Sequence, residues 1–545
     1  LVEARAQIAL GNPKAAYENA MVLRTRYPLS DEDAMAREIA YAVIAANPGV
    51  ADARSVKYHR EESELLLREG AISKAAVQAQ SGLAIATNPG DRAELTYTLA
   101  RALKPNPADA AREFLKYLRI APRGPDAPAA LEKLALIYWH DDRDELARGT
   151  FGRIVAEFPH SRNAPGAMLR IGRIFEEQHQ LGRARAQYKR VAARYPSSEA
   201  GETARFRAPW MLYMGHDYSH AAAEFGAARK RASSGSERDR CDYWRARSLE
   251  KAGDASGALA IFSKVALSVE SNYYPALAAR RAAGSRPELP AATISESVFD
   301  APAPAVASEI EQFHLDRLAT LRALNLKQLE PDELRALHEA GGGSSAMSRF
   351  VLGGYIRAGA WHDSIAMALR MEKSRELDRA AAERAAYPRG YWDLIAPAAA
   401  RRALDPYMLL ALMRQESLFN PRATSASNAR GLMQLLPSTA ARVATQEAIE
   451  SGNLDLYDPP LNVTLGTAYL AQLFAMFGGD EFKAVAAYNG GEHAVQKWTA
   501  EFPGSDDEWV ENIAYAETRD YVKRVIGGRR EYQLLYQAPS GSGAR

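Results

Sequence analysis

Residues 147–159 read ARGTFGRIVAEFP, and residues 184–196 read ARAQYKRVAARYP. The second stretch repeats the first after 37 residues: an alanine comes first, an aromatic ring follows four positions later, and an aromatic–proline pair ends it. Residues four positions apart share one face of an α-helix. The alanine allows a partner helix to approach, and the ring fills the space beyond it. The spacing therefore predicts a helix that recurs every 37 residues.

Three series with this spacing run through the first half of the chain. They are Phe114, Phe151, Tyr188, Phe225 and Phe262; Ala110, Ala147, Ala184, Ala221 and Ala258; and Tyr138, Phe175, Leu212 and Leu249. The pattern is typical of helix–turn–helix repeats, slightly longer than the tetratricopeptide unit, which stack into a superhelix. We expect the rings to pack in the core. The fold class predicted for residues 1–307 is a tetratricopeptide-like α-superhelical solenoid without catalytic residues.

Composition narrows the class of protein. The chain has 545 residues, enough for three or four domains at roughly 150 residues each. Lys and Arg total 69 and Asp and Glu total 67, so the net charge of +2 argues against a nucleic-acid partner. The single cysteine, Cys241, excludes an intrachain disulfide and a multi-cysteine metal site. We expect it to be a small, partly buried apolar residue.

The N-terminus and the apolar stretches of the chain give information about its location in the cell. No apolar stretch approaches the roughly 18 residues that a transmembrane helix requires. The chain begins Leu-Val-Glu-Ala-Arg, without an initiating Met or a basic-then-apolar leader. We therefore expect a processed start from which a leader has been removed.

Two further regions follow the repeats. Residues 285–307 are rich in Pro, Ala and Ser and predict a boundary, and helical patterning resumes near Glu309. A glycine run at 341–343 interrupts it before helices return. We predict a helical linker domain over 308–385. Residues 386–545 combine short helices with polar side chains beside aromatics, so the chemistry is expected there.

A carboxylate at the end of one predicted helix lies on its apolar face. Asp405-Pro406 is a favourable helix start, and Leu409 and Met413 lie on one stripe of the helix that follows. Glu416, seven residues after Leu409, continues this stripe. Burial and the negative helix C-terminus both raise a carboxyl pKa, so Glu416 can serve as a general acid. A surface Glu at a fraying helix end remains the alternative.

Three neighbouring segments add polar side chains at unusual places. Gln434 interrupts the apolar run 431–437, where a buried amide needs a defined partner. Tyr488 and Asn489 precede two glycines that favour a helix C-terminus. Glu517 places a second carboxylate among aromatics. Taken singly, each of these segments is also explained by turn or capping chemistry.

The four segments together carry a family resemblance. Glu416-Ser417, Gly431-Leu432-Met433-Gln434, Ala487-Tyr488-Asn489 and Tyr515-Ala516-Glu517-Thr518 occur in this order within about 110 residues. They resemble the four motifs of the soluble lytic murein transglycosylases, relatives of goose-type lysozyme. The resemblance implies a lysozyme-like catalytic domain over 386–545. It also implies a mainly α fold in which the superhelix and the linker domain close into a ring.

The resemblance further implies a substrate and a reaction. The substrate is peptidoglycan, as glycan strands or muropeptides, cut between N-acetylmuramic acid and N-acetylglucosamine to leave 1,6-anhydromuramoyl ends. Glu416 is the implied catalytic residue, acting first as acid and then as base, with no metal or organic cofactor. A periplasmic location follows from this substrate. No transmembrane segment and no nucleic-acid partner are expected, and cell-wall enzyme partners are left open.

The family motifs imply supporting roles for further residues. Ser425 is expected to hydrogen-bond near Glu416, Gln434 and Tyr488 to position the N-acetyl sugar, and Asn489 to support its loop. The full set of expected substrate-binding residues is Ser417, Ser425, Met433, Gln434, Leu436, Tyr488, Asn489, Tyr515 and Glu517. Met433 and Leu436 are expected to line the cleft. The third and fourth motifs depart from the family pattern at Gly490, Ala514 and Ala516, which affects backbone shape more than proton chemistry.

Two other functions stay open at this point. A muramidase hydrolase on the same fold would differ only in using water as the acceptor, which depends on how the cleft excludes water. A non-catalytic helical-repeat scaffold that binds peptidoglycan is the second, because solenoids commonly present binding surfaces. The acid on an apolar stripe argues against the scaffold.

Overall fold

The protein is helical throughout the residues described by the computed structural model, which are 1–30, 32–269, 273–282, 299–450, 452 and 454–536. Within these ranges, extended pairing is limited to two isolated bridges, Thr424 with Arg430 and Arg430 with Leu435. None of the helices in this part of the chain is both long enough and apolar enough to cross a membrane. The chain divides into two compact units, Leu1–Ala228 and Arg229–Arg545.

The first unit consists of antiparallel helix pairs. Its helices are α1 (Val2–Ala9), α2 (Pro13–Arg26), α3 (Asp33–Ala46), α4 (Val56–Arg68), α5 (Ile72–Ile85), α6 (Pro89–Ala102), α7 (Pro107–Ile120), α8 (Ala127–His140), α9 (Asp144–Glu157), α10 (Ala164–Glu177), α11 (Leu181–Arg194), α12 (Glu199–Met214) and α13 (Tyr218–Arg229), which ends at the unit boundary.

The 37-residue period is confirmed by the helix bounds. The helices α7, α9, α11 and α13 begin at residues 107, 144, 181 and 218. The alanine and aromatic series lie on their buried faces, where Ala147, Phe151, Ala184 and Tyr188 have no exposed surface. The third series is half-buried on the alternate helices. The predicted core role of the rings is therefore correct.

The second unit begins with helices that continue the repeat and then changes character. Its first helices are α14 (Gly235–Lys251), α15 (Ala255–Ala266), α16 (Tyr273–Arg281), α17 (Glu309–Ala323), α18 (Glu330–Ala340), α19 (Ser345–Ala358), α20 (Trp361–Lys373) and α21 (Arg379–Ala386). The helix α15 starts 37 residues after α13 and buries Phe262. Cys241 is buried on α14, as expected.

The remaining helices build the C-terminal region. They are α22 (Trp392–Arg401), α23 (Pro406–Ser417), α24 (Pro437–Gln446), α25 (Pro459–Met476), α26 (Glu481–Gly490), α27 (Glu492–Glu501), α28 (Asp506–Asn512) and α29 (Ala516–Tyr536). The helices α23 and α29 pack closely, because Gly528 on α29 leaves room for Ala411 on α23. A Cβ at Gly528 would lie 3.4 Å from the Cβ of Ala411.

The mainly α prediction is confirmed, and so are several of its boundaries. Helical structure resumes at Glu309, and the glycine run separates α18 from α19. Part of the predicted boundary 285–307 lies outside the described residues, which omit 283–298. The three-domain division at 307 and 385 and the ring stay predictions.

Candidate active site

Helix α23 carries Glu416 as its penultimate residue. The Asp405 side chain caps the helix by accepting a hydrogen bond from the Tyr407 amide at 2.9 Å, as the sequence predicted. The residues from Met408 to Met413 are all buried and fix the helix in the core. At its end Leu418 and Phe419 adopt left-handed backbone angles, with φ of 50° and 62°. Two such residues in succession turn the chain sharply away immediately after Glu416.

The Glu416 carboxyl is partly buried and has one hydrogen-bond donor. The Tyr521 hydroxyl donates to Glu416 Oε1 at 2.6 Å. Burial raises the pKa of Glu416 to about 7, the hydrogen bond from Tyr521 opposes this rise, and the negative charge of Glu517 adds to it. A carboxylic acid with such a pKa holds a proton near neutral pH and can give it to a substrate oxygen.

Tyr521 is the residue of this site that the sequence analysis did not assign. It lies on α29, is 3% exposed, and stands 105 residues after Glu416. Burial and the nearby Glu416 raise the pKa of Tyr521 well above its ordinary value, so the phenol keeps its proton and acts as the donor. The only signal in the sequence is its place at the end of the polar segment 513–521.

The loop after α23 is folded around one buried amide. Asn462 on α25 accepts a hydrogen bond from the Met433 amide at 2.8 Å and donates to the carbonyls of Arg430 and Leu456. Gly431 passes close to this side chain with φ of 78°. A Cβ at Gly431 would lie 2.3 Å from Asn462 Nδ2 and 2.1 Å from the Leu456 carbonyl oxygen. Glycine is therefore required at this position by both angle and space.

Gln434 closes the same loop through its amide nitrogen. Its Nε2 donates to the carbonyls of Gly431 and Ala423 at 2.9 and 3.0 Å, which uses both of its N–H groups. Among the described residues, its carbonyl oxygen has no protein donor. The predicted need of this amide for defined partners is thus met by backbone, and an acceptor remains for a ligand.

The two residues at the end of α26 are held from opposite sides. The Tyr488 hydroxyl donates to the Met433 carbonyl at 2.8 Å, and its ring lies 5.2 Å from that of Tyr469. Asn489 Oδ1 accepts a hydrogen bond from Thr518 at 2.7 Å. The second motif is thereby linked to the third, and the third to the fourth. The predicted helix end is confirmed, since α26 stops at Gly490.

Three expected substrate-binding residues have their contacts within the protein. The Ser425 hydroxyl accepts a hydrogen bond from the Ala429 amide at 3.0 Å, and within the described chain no hydrogen bond joins it to Glu416. The Ser417 hydroxyl is buried and donates to the Leu432 carbonyl at 2.7 Å. Met433 packs against Gly466 with no exposed surface, so its side chain belongs to the core and lines no open cleft.

The other expected residues are accessible. Leu436 is 41% exposed at the start of α24, and Tyr515 is 55% exposed with its ring edge-on to Trp498 at 4.9 Å. Glu517 is exposed in the first turn of α29 and contributes charge at Glu416. Among the residues that the structure describes, no cluster of potential metal ligands occurs.

Two parts of the chain are similar to known families. Residues 393–510 match the transglycosylase SLT domain, and residues 129–161 and 166–198 match tetratricopeptide repeats. The matched range contains Glu416, Gln434 and Tyr488.

The individual relatives are soluble lytic murein transglycosylases. The chain is 39% identical over 151 residues to a protein of Haemophilus influenzae described by that name, covering 27% of this chain and 26% of the relative. It is 29% identical over 307 residues to the Escherichia coli K12 enzyme, covering 55% of this chain and 44% of the relative. The chain thus spans less than half of the length of these relatives in the matched segments.

One solved structure shares the fold. The lytic transglycosylase Slt of Pseudomonas aeruginosa, determined as an inactive mutant, matches 98% of this chain and 80% of its own, with a TM-score of 0.51 and 20% identity. At this identity the likeness concerns the fold, which agrees with the predicted helical repeats followed by an SLT domain.

Proposed function

We propose that the protein is a lytic transglycosylase that cleaves peptidoglycan between N-acetylmuramic acid and N-acetylglucosamine. The observation that carries the proposal is the Glu416 carboxyl at the end of α23, which accepts one hydrogen bond from Tyr521 and whose pKa burial raises to about 7. The names of the relatives in the comparison support the substrate class. We infer a periplasmic location, because that is where such a substrate is reached.

In the first step Glu416 acts as the general acid. It transfers its proton to the glycosidic oxygen while the bond between that oxygen and the muramic C1 breaks. The substrate's own N-acetyl oxygen stabilises the positive charge that develops at C1. Glu416 becomes a carboxylate, and the Tyr521 hydroxyl stabilises this anion through the 2.6 Å hydrogen bond.

In the second step Glu416 acts as the general base. Its carboxylate removes the proton from the muramic C6 hydroxyl as that oxygen bonds to C1, which closes the 1,6-anhydro ring and returns Glu416 to its acid form. No water is consumed, and the attack is favoured because nucleophile and C1 belong to the same sugar. A pKa near neutrality suits a group that must both give and accept a proton.

The surrounding residues are proposed to hold the sugars. The Gln434 carbonyl oxygen is available to accept from an N-acetyl N–H, because its own N–H groups bond the loop backbone. The Tyr488 ring supplies a face beside Glu416, and Asn489 holds α29 through Thr518. Tyr515 and Glu517 lie exposed and would contact sugar directly. Ser417, Ser425 and Met433 act by shaping the loop.

The test is the Glu416→Gln variant, which keeps the shape of the side chain but has no proton to donate. Purified sacculi are incubated with the wild-type chain and the variant, and soluble fragments are measured by mass spectrometry. We expect release to fall by at least about a hundredfold, the size of a general-acid contribution. Glu501→Gln is the matched control, because Glu501 ends α27 on the surface and pairs with Lys497 at 3.8 Å.

Fragment mass separates the proposal from its alternatives. Anhydro ends lack one water relative to hydrolysed ends, so a hydrolysed product from the wild-type chain would identify a muramidase. Equal release by Glu416→Gln and wild type would contradict the single-Glu mechanism. A wild-type chain that binds sacculi and releases nothing would point to the scaffold instead.

A further inference from the structure

A second buried carboxylate lies in the C-terminal region at Glu511, which has no exposed surface. Its Oε1 accepts hydrogen bonds from the Tyr274 hydroxyl at 2.7 Å and from Lys523 Nζ at 2.8 Å. Its Oε2 accepts from Arg240 at 2.7 Å. The Trp244 indole N–H also donates to Oε1, at 3.2 Å. These five residues are called the Glu511 cluster below.

The Glu511 cluster joins two parts of the chain that differ in sequence character. Arg240 and Trp244 lie on α14, and Tyr274 lies on α16. These two helices flank α15, which begins 37 residues after α13. Glu511 lies on α28 and Lys523 on α29, both in the C-terminal region. All of these helices belong to one compact unit, Arg229–Arg545. The last repeat helices are therefore packed into the body that contains the candidate active site.

The cluster also borders the turn that carries Tyr515. Glu511 is the penultimate residue of α28, and the turn 513–515 follows this helix before α29 begins. Two cations on one face of α29, four residues apart, hold this segment: Lys523 bonds Glu511, and Arg519 Nη1 donates to the Ile513 carbonyl at 3.0 Å. Tyr521 lies between these cations in sequence and reaches the other way, to Glu416.

The energetics favour a role beyond stability. Burial alone would raise the pKa of Glu511, but Arg240 and Lys523 hold it well below the usual range, so the group is a carboxylate. Removing such charges from water offsets most of their attraction, and well-packed apolar residues stabilise a fold at least as well. What the charged network adds is a defined geometry, because each oxygen of Glu511 has its own directed donors.

From these contacts we propose that the Glu511 cluster is a positioning device for glycan binding, through which the last repeat helices fix the turn 513–515 and the exposed Tyr515 that it carries. The effect on glycan binding in this inference rests on the proposed function. Tyr274 and Glu511 are positioning residues, since neither is expected to touch the sugars. The repeat helices thus contribute to substrate affinity without supplying a contact of their own.

The experiment compares two tyrosines in the full chain. Tyr274→Phe removes the 2.7 Å hydrogen bond to Glu511, and Tyr243→Phe removes a 2.7 Å hydrogen bond to Asp507, one turn earlier on the same helix. Both rings are buried and both carboxylates keep cationic partners. The two variants are therefore matched in chemistry and in expected loss of stability, but only Tyr274 bonds the residue that precedes the turn.

Two measurements distinguish positioning from a structural role. Hydrogen exchange over residues 512–518 is expected to be about threefold or more faster in Tyr274→Phe than in Tyr243→Phe. The KM for purified glycan strands is expected to rise about three- to tenfold in Tyr274→Phe with kcat retained, because loss of a positioned contact weakens binding.

Equal exchange rates or equal KM values in the two variants, with an active wild-type chain, would overturn this inference alone. A wild-type chain that releases no fragments would overturn the proposed function together with the catalytic consequence drawn here. The exchange measurement requires no substrate, so the two failures are distinguished.

Discussion

Glu416 and Glu511 occupy the same place in two different helices. Glu416 is the penultimate residue of α23, and Glu511 is the penultimate residue of α28. At both positions the negative end of the helix disfavours a negative charge. Yet burial raises the pKa of Glu416 to about 7, whereas the pKa of Glu511 is held well below its usual range. The difference lies in the partners: one neutral phenol at Glu416, and two cations, a phenol and an indole at Glu511.

The comparison teaches how one domain separates proton transfer from anchoring. A carboxyl that receives a single neutral hydrogen bond keeps its proton and remains available to a substrate. A carboxyl that is paired with cations is deprotonated and makes structural contacts. Neither outcome depends on the position in the helix, since both positions are alike. The same substitution at the two residues should therefore have opposite effects.

The largest expected effect is the destabilisation caused by Glu511→Gln. The amide cannot balance the charge of Arg240, which stays buried, so we expect the free energy of unfolding at pH 7 to fall by about 3–5 kcal/mol. Urea unfolding followed by circular dichroism measures it. A loss below that of a typical surface substitution would show that the cluster charges are not energetically coupled.

For Glu416→Gln at alkaline pH we expect the opposite effect, an increase in the free energy of unfolding. The folded state prefers the protonated acid, so the wild type loses stability as the pH rises from the unfolded pKa near 4.5 through about 7. The neutral amide avoids this loss, and at pH 8 the variant should be more stable by up to about 3 kcal/mol. Below pH 4 the difference should vanish. Unfolding curves at the two pH values measure both, and a pH-independent difference would contradict the raised pKa.

A smaller effect is expected from Tyr521→Phe. The Tyr521 hydrogen bond stabilises the Glu416 carboxylate, so its loss raises the pKa of Glu416 further. The wild-type rate should decline as the pH rises past about 7, and the variant should shift this decline upward by about one pH unit. The pH dependence of kcat/KM for fragment release measures the shift. A downward shift would mean that Tyr521 opposes the charged form.

The smallest effect is expected where a carboxylate lies on the surface. Glu501 pairs with Lys497 at 3.8 Å, and both side chains are exposed. Glu501→Gln should change the free energy of unfolding by less than about 0.5 kcal/mol at any pH between 5 and 8. The same urea titrations measure it. A larger change would weaken the comparison, because glutamate replacement would then be disruptive in itself.

The fold was largely predictable because its signals are local and repeated. An alanine and a ring four residues apart define a helix face, and Phe151 and Tyr188 are buried where that face predicts. The start of α23 at Asp405-Pro406 was readable for the same reason, since a cap acts on the amides directly after it.

The site was predictable only in part. Glu416 was predicted from its place on an apolar stripe. Its partner Tyr521 lies 105 residues away, and no local sequence pattern predicts that pairing. Arg240 and Glu511 are 271 residues apart, so no local sequence pattern predicts their contact either. The partner of Ser425 was not predictable either, because a serine in a loop can bond the nearby backbone, and the Ala429 amide is its partner here.

The equal spacing of α7, α9, α11 and α13 has a consequence for how such chains change over generations. Recombination between two copies of the 37-residue unit in the gene would add or remove a whole helix pair and restore the same apolar contacts at the junction. An insertion of any other length must be accommodated in a turn, such as 215–217, outside the buried face. The number of repeats can therefore evolve in steps while the catalytic region is left unchanged.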